Sequence, residues 1–178
     1  GGGFISDQHG VPKPMLAKLA DQCAANIWNK TWYCSRKLDG VRVLLYYKDN
    51  LVQTASRGGS NYNVATKHIR EHPMIQALFK QNPSLILDGE LYKHGSDWPL
   101  QRISGLARQQ EWKEECGELE YWIYDFIDSQ PFKDRLQVLN ELSTFFTEDS
   151  PIKICEHVLV SNYSEAKQLH DVWVSEGF

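Results

Sequence analysis

A short hairpin is the sequence feature that most restricts the fold of this chain. Residues 41–48 (VRVLLYYK) and 51–55 (LVQTA) are rich in β-branched and aromatic side chains, and Asp49 and Asn50 lie between them. A two-residue connection of this kind joins antiparallel strands. Strands and helices alternate afterwards, but no glycine-rich phosphate loop supports a doubly wound sheet. We therefore predict an α+β fold in which antiparallel sheets pack against helices.

The other elements follow from periodicity and from the placement of glycine and proline. We expect residues 1–30 to form an irregular lead-in with a short helix from Met15, because Pro12 and Pro14 interrupt regular structure, and residues 31–178 to form one domain. Gly40 is expected to take a positive φ, and Gly89 inside a strand indicates a bulge or a close ligand. We predict strands at 32–36, 84–92, 120–128 and 152–160, and helices at 64–79 (interrupted by Pro73), 100–108, 132–146 and from an N-cap at Ser164.

Charge and cysteine usage exclude several classes of protein. The chain has 178 residues and a net charge of -4, so it is not a strongly basic protein that binds nucleic acid through bulk charge, although a local basic groove remains open. No apolar run approaches the roughly 18 residues of a membrane span. Its four cysteines are far apart and form no CxxC motif, which favours a reducing compartment such as the cytoplasm.

Four short segments carry the groups that nucleotide chemistry requires. They are 37–42 (KLDGVR), 56–59 (SRGG), 88–91 (DGEL) and 121–125 (YWIYD), each at a predicted strand end or loop. A lysine amine can attack phosphorus, and arginines bind phosphates in a bidentate manner. A carboxylate can accept hydrogen bonds from ribose hydroxyls, and an aromatic face can stack on a base. The segments together predict a nucleotide site.

In this order, the segments resemble motifs I, Ia, III and IIIa of the covalent nucleotidyltransferases: ATP-dependent DNA ligases, RNA ligases and mRNA capping enzymes. Residues 14–18 (PMLAK) resemble the segment before motif I in DNA ligases, and the resemblance runs from about Pro12 to the end of the chain. It implies two antiparallel sheets flanked by helices, in the ATP-grasp-like nucleotidyltransferase architecture.

The resemblance also implies a chemistry. Lys37 would attack the α-phosphate of ATP, expel pyrophosphate and hold AMP through a phosphoramidate bond. The amine must be neutral to attack, and Arg42 together with a magnesium ion would disfavour its charged form. Asp39 would orient the loop or assist at the metal.

Other site residues are implied in the same way. Glu90 would bind the ribose, Arg57 a phosphate of the nucleic acid or of AMP, and Tyr124 would stack on adenine, a role that passes to Trp122 if the strand is turned over. Arg42 could also form an ion pair with Glu90 or Asp39. The nucleotide-binding set implied by the resemblance is Ser35, Arg36, Lys37, Leu38, Arg42, Arg57, Glu90 and Tyr124.

The sequence departs from the ligase pattern at two places. Many DNA ligases have a glutamate that helps to read adenine two residues before the lysine, where this chain has Ser35. The resemblance implies that the motif IV glutamate, a metal ligand, is either Glu176 or a residue beyond Phe178. Motif V and the following OB-fold domain are not in the sequence. We therefore expect slow charging of Lys37 and no nick sealing by this chain alone.

The resemblance favours an ATP-dependent polynucleotide ligase that acts on nicked duplex DNA. An RNA ligase or a capping guanylyltransferase would use the same lysyl-nucleotide chemistry, the latter with GTP. A fourth possibility, from a different class, is a non-catalytic fragment that binds nucleic acid. Its DNA binding would survive Lys37→Ala without any covalent adduct.

Overall fold

The structure, a computed structural model, describes residues 3–7, 12–15, 32–95 and 97–178. The chain divides into two compact units. Among the described residues no helix has both the length and the apolar character that a membrane crossing needs. The first unit consists of Gly1–Leu38, Ser129–Gln137 and Cys155–Phe178, and the second of Asp39–Asp128 and Val138–Ile154.

A four-stranded antiparallel sheet organises the first unit, in the order β2-β1-β3-β9. Its small core consists of Cys34, Val160, Ala166 and Trp173, the last two from helix α5. The strands are β1 (Gly3–Asp7), β2 (Pro12–Met15), β3 (Trp32–Arg36) and β9 (His157–Val160), and helix α5 is Tyr163–Ser175.

Two expectations for this unit were wrong. Residues 3–7 and 12–15 form strands, not an irregular lead-in. β2 can contain Pro12 and Pro14 because it is an edge strand, where a missing N–H is tolerated. The predicted helix after Met15 lies outside the described residues. The N-cap of α5 is Asn162, not Ser164, since the Asn162 side chain accepts a hydrogen bond from the Glu165 N–H at 2.9 Å.

A five-stranded sheet organises the second unit, in the order β5-β4-β6-β7-β8. Neighbouring strands are antiparallel except for the parallel pair β7–β8, whose connection contains helix α4. The strands are β4 (Val41–Lys48), β5 (Leu51–Ala55), β6 (Ile86–Tyr92), β7 (Glu120–Phe126) and β8 (Ile152–Ile154). Its helices are α1 (Lys67–Arg70), α2 (Pro73–Gln81), α3 (Leu100–Ala107) and a 3-10 helix (Glu114–Glu118). Helix α4 (Phe132–Ser143) is divided between the units, with residues up to Gln137 in the first and the rest in the second.

One face of this sheet is the core face. Val43, Leu87, Leu91, Tyr121 and Ile123 are fully buried there. Alternate residues of the same strands therefore point to the opposite face, which carries the charged side chains of the predicted site. The predicted hairpin is confirmed: Asp49 and Asn50 both have positive φ, 54° and 63°, as a tight antiparallel turn requires.

Candidate active site

An arginine and two carboxylates meet on the charged face of the second unit. Arg42 on β4 lies directly opposite Glu90 on β6, and Asp88 is two residues earlier on β6. Arg42 Nε donates to Asp88 Oδ1 at 2.9 Å, and Nη2 donates to Oδ2 of the same carboxylate. The ion pair of Arg42 is therefore bidentate and made with Asp88, whereas the sequence had suggested Glu90 or Asp39. The hydrogen bond to Asp88 is the main cause that raises the pKa of Arg42, so the guanidinium stays charged.

Glu90 is the most buried acidic side chain that the sequence assigned to the site, with 7% of its surface exposed. Its Oε2 accepts a hydrogen bond from the Gly40 N–H at 3.1 Å. Its Oε1 accepts none from the described part of the chain. Burial raises the pKa of Glu90 to about 7, a shift that the Gly40 N–H and Arg42 oppose and that Asp39 and Asp88 reinforce. The carboxylate is thus a buried acceptor with one oxygen available to a ligand.

The raised pKa of Glu90 predicts a pH-dependent stability. In the unfolded chain this carboxyl ionises near its ordinary value of 4.5, whereas in the folded chain it holds its proton up to about 7. The folded state therefore binds more protons between these values, and stability falls as pH rises through that window. The wild type should lose up to about 3 kcal/mol of its free energy of unfolding across this window, and Glu90→Gln should not show this loss. Urea unfolding at several pH values across the window measures the free energy of unfolding, with Glu115→Gln as control. If this free energy changes equally with pH in the wild type and in Glu90→Gln, the prediction is wrong.

Gly40 is required for a reason that differs from the predicted one. Its φ is not positive, whereas the described glycines Gly59, Gly95 and Gly177 have positive φ. Instead, a Cβ atom on Gly40 would lie 2.0 Å from the Leu91 carbonyl oxygen. The loop after Lys37 therefore approaches the backbone of β6 too closely for any side chain, and this approach brings the Gly40 N–H to Glu90.

Gly40→Ala should consequently be strongly destabilising. The Leu91 carbonyl belongs to a buried strand, so the loop itself has to move away. We expect the free energy of unfolding to fall by about 3 kcal/mol, at the upper end of overpacking substitutions. Gly105→Ala is the matched control: Gly105 is exposed in α3 with no atom near its Cβ position, and alanine there should add about 0.5 to 1 kcal/mol. Equal stability of the two variants in urea titrations would refute the steric argument.

The strand β7 places two aromatic side chains at the site. Trp122 lies opposite Glu90, and the register shifts next to it, so that Asp88 is opposite Asp125 and Gly89 opposite Ile123. This bulge, indicated by Gly89, makes Tyr124 the extra residue of β7. Tyr124 contributes to the raised pKa of Arg42 and therefore lies near that guanidinium. The sequence left open whether Tyr124 or Trp122 faces the nucleotide, and the structure has Tyr121 and Ile123 as the core-facing residues of β7.

The Arg57 loop closes this part of the site. The Gly59 N–H donates to the Ser56 carbonyl at 3.0 Å, and the φ of Gly59 is 91°, so the segment 56–59 is a tight turn. Arg57 Nη2 lies 3.9 Å from Asp88 Oδ2, and its side chain is 65% exposed. Two arginines thus converge on one buried carboxylate, and Arg57 keeps most of its surface available to an anion.

The remaining predicted residues belong to the first unit, at the end of β3. Ser35 and Leu38 are buried, with 2% and 4% of their surfaces exposed. Lys37 is half-buried, and its ammonium group forms no ion pair or hydrogen bond with any described residue. Arg36 points to aromatic rings and carboxylates of its own unit. A lysine without a partner, three residues before Gly40, has the freedom that a nucleophile needs.

The described residues do not contain a preformed cluster of metal-ligating side chains. No group of three or more His, Cys, Asp or Glu side chains is placed to hold an ion among them. Glu176, the candidate metal ligand, caps helix α5 and lies 3.8 Å from the Arg36 guanidinium, while Asp88 and Glu90 are engaged by Arg42 and Gly40. Magnesium is usually held by one or two carboxylates together with substrate phosphates, so the magnesium ion that the resemblance implied stays a prediction.

Asp88 is the site residue that the sequence analysis missed. It was part of the DGEL segment, but no role was given to it. A signal was available: Asp88 and Glu90 are two residues apart in a strand and must share a face, so either carboxylate could reach Arg42. The diagonal pairing with Asp88 leaves Glu90 without an ion-pair partner among the described residues.

Comparison with known proteins finds related sequences for most of this chain. Residues 14–178 match the family described as "ATP dependent DNA ligase domain". A DNA ligase of Borrelia garinii subsp. bavariensis is 27% identical over 151 residues, which is 71% of this chain and 23% of that protein. The match to a second curated relative, a DNA ligase of Borreliella afzelii, spans 28% of that protein. The chain therefore spans only a minor part of the curated relatives it matches.

Two solved structures have a similar fold. A Lig E DNA ligase is 19% identical with a TM-score of 0.56, over 82% of this chain and 52% of that one. The ATP-dependent DNA ligase of bacteriophage T7, in complex with ATP, is 19% identical with a TM-score of 0.55, over 86% and 55%. At this identity the likeness concerns the fold, and it confirms the predicted α+β class with two sheets flanked by helices.

Proposed function

The chain belongs to the ATP-dependent DNA ligase domain family, and from this premise we propose that it is the adenylation domain of a polynucleotide ligase that seals nicked duplex DNA. Lys37 attacks the α-phosphorus of ATP. A nitrogen–phosphorus bond forms, the amine nitrogen loses one proton to the solvent, the bond between the α-phosphorus and pyrophosphate breaks, and pyrophosphate leaves with the electron pair of that bond. Lys37 then carries AMP until the AMP passes to a 5′-phosphate at a nick.

The observation that carries this proposal is the buried Glu90 carboxylate beside Arg42. Burying a carboxylate without an ion pair is costly, and such groups cluster at binding and catalytic sites. One oxygen of Glu90 is occupied by Gly40, and the other can accept hydrogen bonds from ribose hydroxyls. The donor set around it fits a nucleotide, because Arg42 and Arg57 supply positive charge for phosphates.

Trp122 and Tyr124 have different roles in this proposal. Trp122 is 9% exposed and packs edge-on against Tyr92 and His94 at centroid distances near 6 Å, so it forms a wall. Tyr124 is half-buried and next to Arg42, and it is the residue that stacks on the base. Since Ser35 replaces the glutamate that reads adenine in many relatives, the preference for ATP over GTP rests on other groups.

A transfer assay tests the proposed substrate. The chain is first charged with labelled ATP or GTP in the presence of pyrophosphatase, which removes the product that would reverse the step. It is then given nicked DNA, nicked RNA or a hybrid duplex. Label from ATP on the 5′-phosphate of nicked DNA is the expected result. Transfer only to RNA would make the protein an RNA ligase, and label only from GTP would make it a guanylyltransferase.

A further inference from the structure

Arg36, the last residue of β3, lies between two aromatic rings of its own unit. Its guanidinium carbon is 5.5 Å from the centroid of the Trp173 ring and 4.8 Å from that of Phe178. The side chain is only 14% exposed. A planar guanidinium stacks well on aromatic faces, whereas a lysine in this place would be a strongly hydrated point charge.

Two carboxylates complete the surroundings of Arg36. Nη2 lies 3.4 Å from Glu156 Oε2 and 3.8 Å from Glu176 Oε2. Nε is buried and has no hydrogen-bond partner among the described residues. Arg36 thus contacts the residue before β9 and the end of helix α5.

The backbone at the end of α5 brings the rings of Trp173 and Phe178 together beside Arg36. Gly177 has a φ of 92°, the Phe178 N–H donates to the Trp173 carbonyl at 3.0 Å, and the Gly177 N–H donates to the Val174 carbonyl at 3.0 Å. This pair of hydrogen bonds defines a Schellman motif, in which the residue after the glycine contacts the helix residue that accepts its N–H. Trp173 and Phe178 are those two residues, and Arg36 lies against both.

The contacts of Arg36 with Trp173, Phe178, Glu156 and Glu176 are called the Arg36 anchor here, and Lys37 follows it directly in the chain. Its side chain has no ion-pair partner in the described part of the chain, so the backbone that carries it determines which space the flexible side chain can reach. Arg36 is the residue immediately before it. We propose that Arg36 is a positioning residue for Lys37: by holding the end of β3 on the end of α5, it fixes the backbone of the nucleophile without contacting the nucleotide.

This inference rests on the proposed function and replaces the nucleotide-binding role that the sequence suggested for Arg36. Arg36 would act by keeping the reacting amine of Lys37 in place. A displacement of about 1 Å in a reacting group can reduce a rate about a hundredfold while leaving ligand binding intact. Loss of the anchor should therefore slow the charging of Lys37 but not weaken the binding of ATP.

The test compares Arg36→Ala, Arg36→Lys and Phe178→Leu with the wild-type chain. Charging is measured as lysyl-AMP formed in a single turnover at saturating ATP, and affinity with a non-hydrolysable ATP analogue. We expect Arg36→Ala to charge about a hundredfold more slowly and the other two about tenfold, with analogue affinity within about threefold of wild type. Arg102→Ala is the matched control, because Arg102 stacks on Trp98 at 4.0 Å and pairs with Glu115 at 2.9 Å, away from Lys37 in the sequence.

A second measurement does not depend on activity. Hydrogen exchange of the amides of residues 36–40 should be about tenfold faster in Arg36→Ala and Phe178→Leu, and unchanged in Arg102→Ala. If the wild type forms no adduct, the proposed function fails while exchange still tests the anchor. Charging within about threefold of wild type, or a loss of analogue affinity in proportion to the rate, would overturn the inference. If Arg36→Ala does not fold, Arg36→Lys and Phe178→Leu decide.

Discussion

Replacement of Lys37 by alanine should abolish the covalent adduct with AMP. No other group is assigned to attack the α-phosphorus, and a neighbouring side chain cannot substitute for an amine placed by the backbone. We expect a loss of at least about a thousandfold in the charging rate, to below detection. Lys37→Arg should be equally inactive, because a guanidinium keeps its proton and is not a nucleophile at neutral pH. Radiolabelled ATP followed by denaturing electrophoresis measures the adduct.

Affinity separates a lost nucleophile from a lost binding site. In Lys37→Ala the affinity for a non-hydrolysable ATP analogue should stay within about threefold of wild type, since Glu90, Arg42 and Arg57 remain. Lys48→Ala is the control, as this exposed lysine ends β4 at the hairpin and has no role in the site. An adduct that persists in Lys37→Ala would show that another residue carries AMP.

Disruption of the Arg42–Asp88 pair should have the next largest effect. Arg42→Lys keeps the charge but loses the bidentate geometry that fixes the guanidinium relative to Glu90 and Tyr124. We expect charging of Lys37 to slow about a hundredfold. Arg42→Ala should in addition cost about 1 to 2 kcal/mol of stability, because it leaves Asp88, which is 10% exposed, without its main partner. The cost is below that of a fully buried pair because Arg42 itself is 46% exposed.

A double-mutant cycle tests whether the two residues act as one unit. Arg42→Lys and Asp88→Asn are measured singly and together for charging rate and for unfolding in urea. Coupled residues give a double variant little worse than the poorer single variant. Arg102→Lys serves as control for a surface arginine–glutamate pair. Additive losses would mean that Arg42 and Asp88 act independently and that the bidentate pair does not organise the site.

Local patterns predicted the second unit well. The turn at Asp49 and Asn50 was identified because only a few residue types adopt positive φ at both positions of a tight hairpin. The interruption at Pro73 was identified because proline has no N–H for a helix interior; it instead begins α2, where the ring of His72 accepts from the Met74 N–H. Both features depend on neighbours in the sequence, which is why the sequence contains them.

Long-range contacts explain what the sequence did not predict. Residues 152–160 were expected to form one strand, but β8 and β9 belong to different sheets, and only the choice of pairing partner decides this. Gly40 was identified as special for the wrong reason, because the carbonyl that excludes its side chain lies on β6. The aromatic rings that contact Arg36 likewise belong to residues at the other end of the chain. The four motifs located the site, while pairings such as Arg42 with Asp88 required the structure.

The adduct itself is the most direct test of the central proposal. The chain is incubated with ATP, magnesium and pyrophosphatase, weighed intact by mass spectrometry and then mapped by peptide digestion, beside a GTP control. We expect a gain of one AMP, located on the peptide that contains Lys37, and no gain from GTP. A mass unchanged after incubation with ATP, or AMP located on any other residue, would contradict it.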